Sequence, residues 1–342
     1  MTFINEVNML LKKSNGNLAI LNIDGGIKYE LLNNNLSKIL NKKIYDGNFS
    51  YINTWFDINK DDSIYGIIDN NKGNLIKINI NDDIISSSTL IKYDYKNFII
   101  KFPYIKILDN ENHIIYFSIN KKNNNFSQLI HIYKNDNIYK KSKIDFINYN
   151  IMSNFVVTWN NNIPSIFYYN RVNGFEELFV STFDLNNLNW TSPLKLTNSE
   201  KNKIYLDVIK DINNNYHIVY SENNNLKYHC QYLKLEINNT NFKILESSLI
   251  KNNIMCLFPT LLIQSNNIFI QWVEYNNLYI CKSTNSGKTW SKSNKNNSIS
   301  DYIFLRYYYK SNYKLDNNYN LSYIFGINKL YDIDLFNYIY KL

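Results

Sequence analysis

One interval constrains this chain more than any other feature. An apolar strand, a polar turn rich in Asn and Asp, a second apolar strand, a short polar turn and a third strand recur along its 342 residues. The clearest copies run from Tyr205 to Tyr220, from Tyr104 to Tyr116 and from Pro259 to Trp272. Taking the end of the second strand as a ruler, the equivalent positions are Leu21, Gly66, Tyr116, Tyr168, Tyr220, Trp272 and Phe325. Subtraction gives intervals of 45, 50, 52, 52, 52 and 53 residues. A repeat of about 40–55 residues carrying three or four strands is what one blade of a β-propeller needs. Stacked sheets bury both faces, which explains strands apolar on consecutive as well as alternate residues. The expected fold is therefore all-β: a β-propeller of tandem four-stranded antiparallel blades, seven in number, with six as the alternative.

The seven repeats fall at about 1–45, 46–95, 96–147, 148–199, 200–250, 251–300 and 301–342, within a single domain spanning 1–342. The alternative is six blades with an N-terminal extension, because the early repeats are the weakest. Few residues follow Phe325, so the last blade is expected to borrow the region around Phe3-Ile4 as an outer strand. Composition agrees with sheets. The chain holds 30 Tyr and 19 Phe, and Ala19 is its one alanine. Aromatic and β-branched residues fit a pleated, half-buried surface. Four Pro and nine Gly leave no hinge-rich stretch that would mark a second domain.

Charge and cysteine content narrow the function classes. The net charge of +8 is spread along the chain without a basic block, which argues against nucleic acid as a partner. The excess of Ile, Asn, Lys and Tyr follows an AT-rich coding bias, so Lys and Asn content carries no functional meaning. Cys230, Cys256 and Cys281 are odd in number and widely spaced, which predicts free thiols. The N-terminus lacks a basic segment followed by an apolar one, and no apolar run approaches the length of a membrane span. A cytoplasmic monomer without cofactor or metal is the expectation, with a spore or particle surface left open.

Ser283-Thr-Asn-Ser-Gly-Lys-Thr-Trp290 resembles the Asp-box, or BNR repeat, with Asn285 in the Asp position. Gly287 permits a left-handed turn residue, and Asn285 can bond turn amides as Asp would. Ser283, Asn285, Gly287, Thr289 and Trp290 therefore read as a structural turn. A degraded copy runs from Ser181 through Asp184 to Trp190 and Pro193. The motif is similar to those of the sialidase-like propeller superfamily. In that superfamily the box is a peripheral turn, and catalysis depends on an arginine triad with a Tyr nucleophile. This chain has two arginines, Arg171 and Arg306, so a three-arginine clamp is excluded.

Other glycosidase chemistry needs two convergent carboxyls. Asp207, Glu274 and Glu6 are the candidates, each weighed against a plain ion-paired carboxylate. His113 and His217 both stand three residues before the ruler, so they read as repeat structure and not as a general base. His229-Cys230 beside Cys281 would suit a soft metal, but chance proximity is the better reading. Residues opening the first strands, Glu6, Asn53, Lys101, Asn154, Asp207 and Arg306, are expected on the ligand-binding face. Arg306 with Tyr307, and Tyr169 with Arg171, combine the rare arginines with aromatic rings, and Trp272 is a further ligand-binding candidate. The leading expectation is a non-catalytic binding or interaction protein whose partner is a protein or a glycan. A lectin-like carbohydrate-binding propeller and a divergent sialidase-like glycoside hydrolase are the alternatives.

Overall fold

The computed structural model describes residues 3–23, 25–47, 49–123, 127–148, 151, 153–225, 227–238, 240–250, 255–296 and 303–327. The chain is an all-β propeller of six four-stranded antiparallel blades, three of which carry extra short strands or strands from the last repeat. The first blade comprises β1 (Phe3–Lys12), β2 (Leu18–Ile23), β3 (Ile27–Leu32) and β4 (Lys38–Tyr45). The second comprises β5 (Thr54–Ile58), β6 (Ile64–Asp69), β7 (Asn74–Asn81) and β8 (Ile84–Lys92). The third comprises β9 (Phe98–Leu108), β10 (Glu111–Asn120), β11 (Ser127–Lys134) and β12 (Tyr139–Ile147). The fourth comprises β13 (Val156–Asn160), β14 (Ile163–Val172), β15 (Phe175–Asp184), β16 (Asn189–Trp190) and β17 (Leu194–Lys195). The fifth comprises β18 (Lys203–Lys210), β19 (Tyr216–Asn224), β20 (Lys227–Ile237) and β21 (Phe242–Leu249). The sixth comprises β22 (Leu257–Gln264), β23 (Asn267–Glu274), β24 (Asn277–Ser283) and β25 (Asn294–Lys295).

The expected seventh blade does not form. The last repeat supplies β26 (Phe304–Ser311), β27 (Tyr319–Leu321) and β28 (Tyr323–Ile327). These strands extend existing sheets: the strand order is β28-β26-β1-β2-β3-β4, and β27 pairs with β22. Six ruler marks lie on second strands of blades, whereas Phe325 lies on β28 at a sheet edge. The expected role of Phe3 is corrected too. Its strand is the first strand of its own blade and not a borrowed outer strand. The extension is therefore C-terminal, and the N-terminal repeat is complete. Asp316 fixes β26 beside β1 by accepting from Tyr309 Oη at 2.7 Å and Ser311 Oγ at 2.6 Å. Lys12 Nζ lies 3.2 Å from the same carboxylate.

The chain divides into two compact units, one of residues 1–5, 151–306 and 317–342, the other of residues 6–150 and 307–316. Within each, burial falls from the second strand to the fourth. All six residues of β6 are buried, while β8, with three consecutive serines, is mostly exposed. Polar fourth strands protect the sheet edges from pairing with another chain. The packing also explains why Gly66 stands where other repeats carry Tyr or Trp. Gly66 pairs with Phe56, and a Cβ at Gly66 would lie 2.2 Å from the Phe56 ring. The bulk sits on the first strand in this blade, whereas in the fifth blade it sits on the second, where Tyr220 faces Leu206.

The two histidines that stand three residues before the ruler make equivalent bonds. His113 Nδ1 bonds His131 Nε2 at 3.1 Å, and His217 Nδ1 bonds Tyr232 Oη at 2.8 Å. In both blades the bond runs from the second strand to the third. Burial lowers the His113 pKa to about 4 and also lowers those of His131 and His217.

Candidate functional site

Two first strands of the 151–306 unit are distorted at the same place. Tyr205 and Phe258 have φ angles of 55° and 51°, and the pairing register shifts at each. Bulky residues at positive φ are uncommon and costly, and bulges re-aim side chains. Here they bring two rings together, with centroids 4.2 Å apart. Phe258 also packs against Phe3 at 5.2 Å, and Phe304 and Phe325 complete the apolar floor. Tyr169 supports the Tyr205 bulge, its hydroxyl donating to the Tyr205 carbonyl at 3.0 Å. Ser153 Oγ accepts from the Tyr205 amide at 3.2 Å.

Arg306 completes the cluster. Its guanidinium carbon lies 4.8 Å from the Phe258 ring centre and 4.5 Å from that of Tyr323. Arginine between two rings gains cation–π attraction of about 0.5–2 kcal/mol per ring. Arg306, Tyr205 and Tyr323 are all half-buried. Among the described residues, no acceptor lies within hydrogen-bonding distance of the guanidinium. Five N–H donors are thus held in place and unspent.

Asp207 feels the charge of this arginine from within the core. It is 1% exposed, and its oxygens accept the backbone N–H groups of Val208 at 3.0 Å and Leu261 at 2.8 Å. Burial pushes its carboxyl up to about 7, partly opposed by the Leu261 amide, the Arg306 charge and the Val208 amide. The carboxyl is committed to backbone donors beneath the surface and does not present itself to a ligand.

The remaining sequence candidates lie elsewhere. Glu274 is buried at the turn joining β23 to β24. The side chain of Glu6 lies outside the described residues. Trp272 is fully buried and stacked on Tyr279 at 6.0 Å, as a core side chain. Arg171 sits at the β14–β15 hairpin and pairs with Glu176 at 3.2 Å. Tyr307 is buried on β26. Among the described residues, no group of three or more His, Cys, Asp or Glu is arranged to hold a metal ion.

The turn from Ser283 to Trp290 is closed by its own side chains. Ser283 Oγ accepts the Gly287 amide at 2.9 Å, and Asn285 Oδ1 accepts the Thr289 amide at 2.9 Å. Gly287 has φ 90°, and a Cβ there would lie 2.0 Å from Tyr232 Oη. Trp290 meets the Tyr232 ring edge-on at 4.9 Å, tying the sixth blade to the fifth.

Sequence reasoning missed two features. One is the pair of bulged aromatics, although Phe-Pro at 258–259, repeated at 102–103, was a signal; Phe102 also has positive φ, at 53°. The other is a buried Glu177–Lys203–Glu222 cluster. Lys203 Nζ lies 2.9 Å from Glu177 and 3.6 Å from Glu222, and it donates to the carbonyls of Glu176 and Lys201. Glu177 also accepts from Thr197 Oγ1 and the Glu200 amide, and Glu222 from Ser199 Oγ. Most of these bonds fasten the crossover from the fourth blade to the fifth, and Glu222 also accepts from Gln231 Nε2 on β20 at 3.3 Å, so this cluster reads as structural.

No protein-family model matches the sequence, and no curated protein matches it. Solved structures do. One is a family 25 polysaccharide lyase, an ulvan lyase, bound to -[GlcA(1-4)Rha3S]-: TM-score 0.58, 10% identity, over 95% of this chain and 93% of that one. Another is the α-L-arabinanase of Penicillium chrysogenum complexed with arabinobiose: TM-score 0.53, 9% identity, over 82% and 94%. A third is the family 93 α-L-arabinofuranosidase of Fusarium graminearum with arabinobiose: TM-score 0.50, 11% identity, over 71% and 80%. Likeness at such identities is likeness of fold.

Proposed function

We propose that this protein is a carbohydrate-binding propeller that engages an anionic sugar through Arg306 and the rings of Tyr205 and Tyr323, without hydrolysing it. The observation that carries this reading is the Arg306 guanidinium, half-buried between two rings with its donors unspent. Aromatic faces suit the apolar faces of sugar rings, and a planar guanidinium matches a carboxylate or sulfate with two parallel hydrogen bonds. Among the described residues, the carboxyl that interacts with Arg306 is Asp207, which is buried and bonded to backbone, and this supports binding without turnover. The fold shared with proteins solved with saccharides is consistent with a glycan partner. The turn at Ser283–Trp290 supports distant kinship with sialidase-like propellers, as a peripheral element of the fold.

The test is calorimetric titration with oligogalacturonate, with its neutral methyl ester and with a sulfated galactan, beside a glycosidase and lyase assay on each. Binding of the acidic oligosaccharides, weakened at least tenfold in R306Q and several-fold in Y205A, is expected, with no product formed. Turnover would overturn the non-catalytic reading. Equal affinity of R306Q and the parent protein would remove the site from Arg306.

A further inference from the structure

The chain has three cysteines, 26 and 25 residues apart, and all three meet in one buried cluster between the fifth and sixth blades. Cys230 lies on β20, Cys256 just before β22 and Cys281 on β24. The backbone of Cys256 is pinned on both sides of Cys230. Its amide donates to the Tyr228 carbonyl at 2.7 Å, two residues before Cys230. Its carbonyl accepts from Ser221 Oγ at 2.6 Å, and Ser221 is the cross-strand partner of Cys230. The Cys230 carbonyl in turn accepts the Ile250 amide at 3.0 Å. These bonds hold Cys256 beside Cys230, whereas Cys281 reaches the same cluster from β24, where it pairs across strands with Ile270.

We propose that Cys230 and Cys256 form a latent disulfide pair that locks the fifth blade to the start of the sixth when a small-molecule disulfide oxidises them. The step balances as exchange. One thiolate attacks the reagent disulfide RS–SR and expels RS⁻. The second thiolate then attacks the mixed disulfide and expels another RS⁻. One Cys230–Cys256 bond forms, two thiol protons are released, and the reagent is reduced to two thiols.

The pair is latent because the thiolate is the reacting species. Burial raises the Cys230 pKa far above its ordinary value and pushes Cys281 up to about 12. Exchange therefore proceeds through local opening of the seam and not through the closed state. Once formed, the bond closes the loop that holds β21 and the connection into β22, and it restricts the unfolded chain.

The experiment treats the full chain with glutathione disulfide, with and without urea below the unfolding transition, and maps linked peptides by mass spectrometry without reduction. A Cys230–Cys256 peptide is expected, formed at least threefold faster in urea and unchanged in C281S. The oxidised protein should melt about 5 °C higher, as a cross-link of this loop size predicts. C256S should yield no internal disulfide. A linkage through Cys281, glutathione adducts alone, or three reduced thiols after prolonged exchange in urea would each overturn the pairing.

Discussion

Asp57 and Asp207 hold the same place in two blades, one in each unit, yet their surroundings have opposite sign. Each follows the residue paired with the ruler position: Phe56 faces Gly66, and Leu206 faces Tyr220. Each is almost fully buried and accepts the amide of the next residue, Ile58 at 2.8 Å and Val208 at 3.0 Å. They differ in what the second oxygen meets. Asp57 takes Lys106 Nζ at 2.8 Å, whereas Asp207 takes the neutral Leu261 amide at 2.8 Å. Burial alone would raise both. At Asp57 the charges of Lys106 and Lys310 and the bonds from Lys106 and Ile58 outweigh burial and hold the carboxyl below its ordinary value. At Asp207 burial wins, and the carboxyl rises to about 7. One repeat position thus serves as an ion-pair anchor in one unit and, in the other, as a carboxyl that burial holds on to its proton toward neutral pH.

The largest effect that tests this contrast is the pH dependence of stability. A carboxyl whose pKa is raised on folding stabilises the fold fully below its unfolded value and loses that contribution as pH rises through the folded value. For Asp207 the window runs from the ordinary carboxylate value of 3.8 up to about 7. The loss across it is about 4 kcal/mol. Buried histidines titrate in the same range with opposite sign, so the difference between the parent and D207N isolates the effect. In urea unfolding, the parent should lose stability relative to D207N between pH 4 and pH 7. A constant difference over that range would show that Asp207 stays ionised and paired.

The ion pair of the other unit should give the next largest effect. K106M leaves Asp57 buried with only the more distant Lys310 charge, and removing one partner of a buried pair costs about 3 kcal/mol. Asp57 has a lowered pKa, so its contribution is present above the unfolded value and is lost as pH falls. The K106M deficit, read by urea unfolding, should therefore shrink below about pH 4. A deficit that persists unchanged in acid would assign the loss to packing of the lysine stem.

Much of this was legible in the sequence, and the exceptions have physical causes. The period was readable because second strands bury both faces, so Tyr116, Tyr168, Tyr220 and Trp272 return at a steady interval. Blade number was not, because Phe325 has the same apolar signature whether its strand starts a new sheet or extends an old one. Arg306 stood out by rarity among lysines. Its neighbours did not, since the bulges of Tyr205 and Phe258 depend on the sign of one dihedral angle. The two aspartates could not be told apart from the local sequence. What separates them is a lysine 49 residues away at Asp57 and a backbone amide 54 residues away at Asp207.

The smallest effect concerns Tyr65. Its hydroxyl donates to the lysine-bound oxygen of Asp57 at 3.3 Å and accepts the Ile107 amide at 3.4 Å. Among the described residues, no hydroxyl bond to Asp207 corresponds to it. If Asp57 is held ionised mainly by Lys106 and Lys310, the phenol is a minor partner. Y65F should then cost about 1 kcal/mol, the net value of one buried hydrogen bond. The Y65F and K106M losses share Asp57 and should not simply add, so the double mutant measures their coupling. A Y65F loss as large as that of K106M would show that the hydroxyl, and not the charge, anchors this carboxylate. The contrast between the two units would then rest on a hydrogen-bond donor instead of an ion pair.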